Sequence, residues 1–170
     1  MPRPSATEYG PYYQTYINYT SGKDYSILQQ QYNDRIIESW SAIPLEKINF
    51  AYAPDKWTIK QMFQHVIDTE RIFAYRALAI ARKEKISIPG FDEKKYAENA
   101  TAAHRNWKDM IAEWKIVRQS TNMLFASFTE EDWKQKGIAS ENPMSVNALG
   151  FIIFGHALHH LHILKERYSI

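Results

Sequence analysis

Apolar residues recur at three- and four-residue steps in four stretches of the chain, the period that an amphipathic helix requires. From about Asp24 to Trp40 the steps run through Ile27, Leu28, Tyr32, Ile36, Ile37 and Trp40, and Pro44 closes the stretch. A second stretch starts at Thr58, where Thr58-Ile-Lys-Gln61 fits a capping box. In that motif the threonine oxygen accepts from a free backbone amide and the glutamine side chain reaches back. Ile59, Met62, Phe63, Val66, Phe73, Ala77 and Ile80 form its stripe, which ends before Pro89-Gly90. A third helix is predicted from about Asn99, on Trp107, Met110, Ile111, Trp114, Val117, Thr121, Leu124, Phe125 and Phe128. The last runs from Ser145 to Tyr168 with Leu149, Ile152, Ile153, Ile163 and Leu164 on one face.

The intervals between these stretches set the architecture. Residues 86–95 are turn-rich and long enough to lie over one end of a bundle. Thr129 is placed to cap a short helix, since Glu130, Glu131 and Asp132 suit the positive end of a helix dipole. Residues 1–23 hold three prolines, two glycines and five tyrosines; an irregular segment packed on the body is expected there, with the tyrosines used for packing and a binding role as the alternative. No strand run and no internal repeat is evident. The pattern predicts an all-α four-helix bundle over residues 24–170, with a long connection between helices two and three.

Composition narrows the function. The chain has 170 residues, 45% of them hydrophobic and 24% charged, with a net charge of +2. That length suits one well-buried core, and the small charge, with no basic stripe, argues against nucleic acid as a partner. Cysteine is absent, so disulfides, thiolate metal sites and a protein-borne thiol nucleophile are excluded. No apolar run approaches the ~20 residues of a membrane span. Without a signal-peptide core, a cytoplasmic location and no membrane partner are expected.

Four of the six histidines, His156, His159, His160 and His162, fall in the last helix. At ~100° per residue, His156 and His160 lie nearly one above the other on the apolar face. His162 sits ~120° away on the polar side, and His159 lies at the flank. Buried imidazoles need partners, either backbone or carboxylate groups or a shared metal. His65, at the edge of the second helix's stripe, can meet that pair in a bundle, giving His65, His156 and His160 as candidate metal ligands. Three neutral imidazoles would leave a first-row divalent ion with open positions. His104, near the start of the third helix, is a candidate fourth ligand. Glu70 turns ~140° from His65 and should face away, while Arg76 and Asp68 lie on a partly polar strip, either as pocket residues or on a solvated flank. Gly150 and Gly155, inside the last helix, are suited to the close approach of a neighbour, and Gly155 directly precedes a candidate ligand.

These residues also carry a resemblance. Lys56-Trp-Thr-Ile-Lys-Gln-Met-Phe-Gln-His65 through Arg71, Phe73-Ala-Tyr-Arg76, Pro89-Gly-Phe-Asp92 and Gly155-His-Ala-Leu-His-His-Leu161 resemble the DinB-like (damage-inducible) superfamily, of the DinB-2 type. The resemblance implies a metal-binding bundle, commonly a homodimer, with Zn or Ni on His65, His156 and His160. It also implies a small-molecule substrate and a low-molecular-weight thiol such as bacillithiol or mycothiol. The expected reaction is therefore transfer of a small thiol to an electrophile. No catalytic group is assignable beyond a metal-bound water or thiolate. A metal-dependent hydrolase is the alternative, and a non-enzymatic metal-binding bundle of the stress response is a third reading.

Overall fold

The computed structural model describes residues 1–170. In chain order the elements are α1 (Gln14–Tyr19), α2 (Tyr25–Ser41), α3 (Ile59–Ala81), α4 (Glu93–Asn99), α5 (Trp107–Ala126), α6 (Glu130–Lys134), a hairpin of β1 (Lys136–Ala139) and β2 (Asn142–Ser145), and α7 (Val146–Arg167). Each of the four long helices opens on a side chain that accepts from a backbone amide: Asp24, Thr58, Asn106 and Ser145. A helix start leaves free N–H groups, and these caps satisfy part of that need. At Thr58 the capping box is complete, with Gln61 reaching back to the threonine amide.

The four long helices close a ring, because α7 packs on α2 and α3 while α5 packs on the other faces of the same two helices. From Val146 to Leu158 every residue of α7 is buried. A helix apolar all round needs neighbours on all sides, and α1 supplies a third one by packing along α7. No helix is long and apolar enough to cross a membrane.

Four features depart from the sequence-based expectation. The N-terminal segment is not irregular throughout, since Gln14–Tyr19 is helical and is fixed to the body. Arg3 donates to the carbonyls of Ile17 and Thr20, and Ser145 donates to Glu8 at 2.8 Å. The connection from α3 to α5 contains α4, capped by Asp92, whose carboxylate accepts from the amides of Lys94 and Lys95. In consequence α5 starts at Trp107 and not near Asn99, because Thr101 takes a left-handed φ of 49° that interrupts the helix.

The fourth departure is the β1–β2 hairpin, whose register pairs Lys136 with Ser145 and Ala139 with Asn142. Its turn residues, Ser140 and Glu141, have φ of 52° and 63°, a conformation usually signalled by glycine or asparagine. The hairpin is a local hub. Ile88 donates to Ile138 and its carbonyl accepts from Ser140, both at 2.9 Å, and Tyr9 pairs with Met144. Three separate parts of the chain are thereby held beside one end of the bundle.

Candidate metal centre

Helices α3 and α7 are adjacent in the ring and bring His65 against His156 and His160. The Nε2 atom of His156 lies 3.0 Å from that of His65 and 3.1 Å from that of His160. One donor atom from each residue falls within 4.8 Å of the others, and all three side chains are buried. Three neutral imidazoles meeting through Nε2 cannot all be satisfied by one another. Each such nitrogen carries either a proton or a lone pair, so a ring of three leaves at least one mismatch. A cation removes the conflict by accepting all three lone pairs. Two nitrogens each ~2 Å from a common ion stand ~3 Å apart, which matches the observed separations.

The opposite ring edges are less well held. Thr69 Oγ1 is 3.4 Å from His65 Nδ1, and His160 Nδ1 is buried without a partner. Burial is the main force on the titration of the three rings, followed by the fields of the neighbouring histidines. It pushes His65 down to about 4 and holds His156 and His160 well below the ordinary range. The rings are therefore neutral at pH 7, the state that ligates a metal.

That depression has a measurable consequence for the metal-free protein. The unfolded chain takes up a proton on His65 near pH ~6.5, whereas the folded chain resists until about 4. Protons therefore favour the unfolded state as pH falls through this window, and stability present above pH ~6.5 is lost towards pH 4. His65 alone contributes a slope of up to ~1.4 kcal/mol per pH unit. Thermal melts of metal-free protein should show Tm falling from pH 7 to 4.5, with a shallower fall in His65→Gln. Parallel slopes for the two proteins would contradict the assignment.

The other singled-out residues lie elsewhere. His104 is exposed on the α4–α5 connection and is not in the cluster. His159 is partly buried against the rings of Tyr16 and Tyr19, and exposed His162 faces Glu166 at 2.9 Å. Asp68 accepts from Gln64 Nε2 at 2.9 Å and does not line either cavity that reaches the histidines. Arg76 is neither a solvated flank nor a pocket wall: it is 1% exposed. It donates to Ser140 Oγ at 2.8 Å, to the carbonyl of Pro89 and to the hydroxyl of Tyr13. Its role is to tie the N-terminal segment, the α3–α4 connection and the hairpin to α3. Glu70 faces α5, as its angle on the helix requires, and accepts from Arg118 at 2.7 Å.

Two cavities reach the cluster. One of about 420 Å³ includes His65 and His160 with Trp57, Tyr52 and the charged rim residues Lys56 and Arg167. The other, about 270 Å³, includes His65 and His156 with Phe73, Ser140 and Asn142. Tyr12, Tyr16, His65 and Glu93 line both and so form the neck between them. Glu93 has no signal as a site residue in the sequence, since it comes from outside the long amphipathic stretches; the density of tyrosines in residues 1–23 admits a binding role but singles out neither Tyr12 nor Tyr16.

The DinB superfamily sequence model matches residues 28–164, which leaves the first 27 residues, with α1, outside the match. Among solved structures, YfiT from Bacillus subtilis, described as a probable metal-dependent hydrolase with an unusual four-helix bundle topology, superposes with a TM-score of 0.68 at 16% identity. The match covers 99% of this chain and 93% of that one. A mycothiol-dependent maleylpyruvate isomerase superposes with a TM-score of 0.66 at 8% identity, over 88% of this chain and 59% of that one. At these identities the likeness concerns the fold. No curated protein matches the sequence significantly.

Proposed function

The chain belongs to the DinB superfamily, and from that premise we propose that it is a metal-dependent enzyme whose His65, His156 and His160 hold one divalent ion. The observation that carries this reading is the convergence of three buried, neutral imidazoles through Nε2, with His65 and His160 lining one cavity and His65 and His156 the other. Three protein ligands suit a catalytic ion better than a structural one, because a structural site is closed by a fourth. An all-imidazole set suits zinc, copper, iron or nickel, and the resemblance to the DinB-2 type implies zinc or nickel among these. When bound, the ion supplies Lewis acidity towards a sulfur or oxygen ligand.

Within that class, we assign the chain to transfer of a low-molecular-weight thiol to an electrophilic small molecule. A cavity lined by Trp57, Tyr52, Tyr12 and Tyr16 accepts a partly apolar ligand. The charged lining is mixed, with Lys56, Lys94 and Arg167 beside Asp55, Glu93 and Glu98, and offers partners to both the carboxylates and the amines of a peptide-like thiol. The isomerase with the similar fold is mycothiol-dependent. This chain contributes binding and orientation, and the thiol must arrive as a cosubstrate because no cysteine is present.

A hydrolase is the second reading, favoured by Glu93, a carboxylate that lines both cavities beside His65 and is suited to take a proton. Cobalt-loaded protein titrated with small thiols separates the two. A sulfur-to-metal charge-transfer band can only come from the added thiol, since the chain has none of its own. Metal content of untagged protein should be one ion per chain, and both His65→Ala and His160→Ala should lose ion and band together. Full metal content in His160→Ala would refute the ligand set, and absence of the band with every thiol would turn the assignment to hydrolysis.

A further inference from the structure

The neck between the two cavities holds a pair of hydroxyl groups. Tyr12 and Tyr16 are one helical turn apart, and their hydroxyls share a hydrogen bond at 3.0 Å. The two residues differ in setting: Tyr16 is 8% exposed and Tyr12 is 66% exposed. The ring of Tyr16 stands edge-on to His156, with centroids 5.3 Å apart and planes at 86°, and also meets His159 at 5.4 Å. Its position beside the ligand cluster is fixed from behind. At Gly155, a Cβ atom would lie 2.0 Å from the carbonyl oxygen of Tyr16, so the absence of a side chain just before His156 is what lets α1 come so close.

Two phenols bonded to each other hold two protons and spend one between them. The second is free, and both residues line both cavities. The opposing wall group, Glu93, accepts only. Granted a divalent ion on the three histidines, as proposed above, we propose that the Tyr12–Tyr16 pair is a positioning and specificity element: it donates a hydrogen bond to a carbonyl or carboxylate oxygen of the ligand at that ion. A substrate carrying such an oxygen is held by the ion on one side and by a phenol on the other. A ligand that presents only a donor on that side gains nothing.

The segment that carries both tyrosines lies outside the family match at 28–164. Selectivity for oxygen ligands is thus supplied by a part of the chain distinct from the metal-holding bundle. The Phe variants remove the hydroxyls and keep the rings, so the packing against His156 and His159 is retained.

Cobalt-loaded wild type, Tyr12→Phe, Tyr16→Phe and the double variant are titrated with acetate, acetamide and imidazole, following the visible cobalt spectrum. Imidazole coordinates through one nitrogen and presents an N–H on its other side, so it has no acceptor for a phenol. Acetate should bind about tenfold more weakly to the double variant, the loss expected for one hydrogen bond to a charged acceptor, and imidazole should bind within twofold of wild type. A matching loss for acetamide assigns the contact to any carbonyl oxygen, and a loss for acetate alone assigns it to carboxylates. Equal weakening of acetate and imidazole would mean a disturbed site and overturn the proposal, as would unchanged acetate affinity. Failure of wild type to give a cobalt spectrum would instead refute the metal reading and this proposal with it.

Discussion

Gly155→Ala should destabilise the protein by about 3 kcal/mol and release α1 from the bundle, although alanine is the better helix former. Two effects of opposite sign meet at this position. Replacing a glycine inside a helix by alanine ordinarily gains ~0.5–1 kcal/mol from the unfolded chain's lost freedom. Against it, the new Cβ would lie 2.0 Å from the Tyr16 carbonyl oxygen, 2.5 Å from its carbon and 3.0 Å from its Cα. All three atoms are backbone, so no rotamer change relieves the contact. Helix α1 must move by more than an ångström or come off. The steric term wins because it cannot be relaxed locally, while the propensity term is small by nature. Gly150 is the control in the same helix, where a Cβ would meet side-chain atoms of Tyr25, Trp133 and Phe125 at 3.0–3.4 Å. Those rings can yield by tenths of an ångström, so Gly150→Ala should cost much less. Thermal melts rank the two variants, and hydrogen exchange should show lost protection at residues 14–19 in Gly155→Ala only. A Gly155→Ala protein with wild-type Tm and a protected α1 would disprove the close approach.

The same contact shows how far the sequence could be read. A glycine before His156 signals that something comes near, because a helix interior rarely tolerates one without reason. What comes near is a segment with no period of its own. Its partners are set by Arg3 and Glu8 reaching Ile17, Thr20 and Ser145, contacts that lie far apart along the chain or depend on one rotamer. The bundle was legible because burial of one helix face leaves a 3.6-residue trace, and the convergence of His65 with His156 and His160 followed from the i, i+4 spacing and helix adjacency. The capping box at Thr58 was legible because its partners are three residues apart.

Other elements left no such trace. The hairpin turn is Ser140-Glu141, without the glycine or asparagine that its positive φ values favour, and its strands are only four residues each. Helix α4 has seven residues and buries only Ala97, too few for a period to appear. Yet these elements supply part of the cavity walls, Glu93 from α4 and Ser140 and Asn142 from the hairpin, beside Thr69 and Phe73 from α3. The three clustered histidines sit on long periodic helices, whereas part of the wall comes from short aperiodic ones. The sequence therefore revealed the cluster and hid its surroundings.

Arg118→Met should cost about 3–5 kcal/mol, and the loss should be larger at pH 8 than at pH 5. Arg118 and Glu70 are 5% and 3% exposed and form an ion pair at 2.7 Å between α5 and α3, the helix that carries His65. The guanidinium lies between the rings of Trp114 and Phe154, at 4.9 and 4.5 Å from their centroids. Methionine can occupy that apolar slot, so packing is largely kept and the penalty comes from the carboxylate left behind. Burial already raises the Glu70 carboxyl above its ordinary range, and Arg118 is the main force opposing that rise. Without Arg118 the carboxyl rises further and folds as the neutral acid over a wider range of pH. A group whose folded-state pKa is raised loses stability as pH climbs from its unfolded value, ~4.3, towards the folded one. The variant's deficit must therefore grow with pH across that interval. Glu70→Leu combined with Arg118→Met removes both charges, and such replacements of buried pairs are often neutral or stabilising. Urea denaturation of the wild type, the single variant and the double variant at pH 5 and pH 8 tests both parts. A single variant with a pH-independent deficit, or a double variant no better than the single, would show that the cost lies in packing around Trp114 and Phe154 and not in the stranded charge.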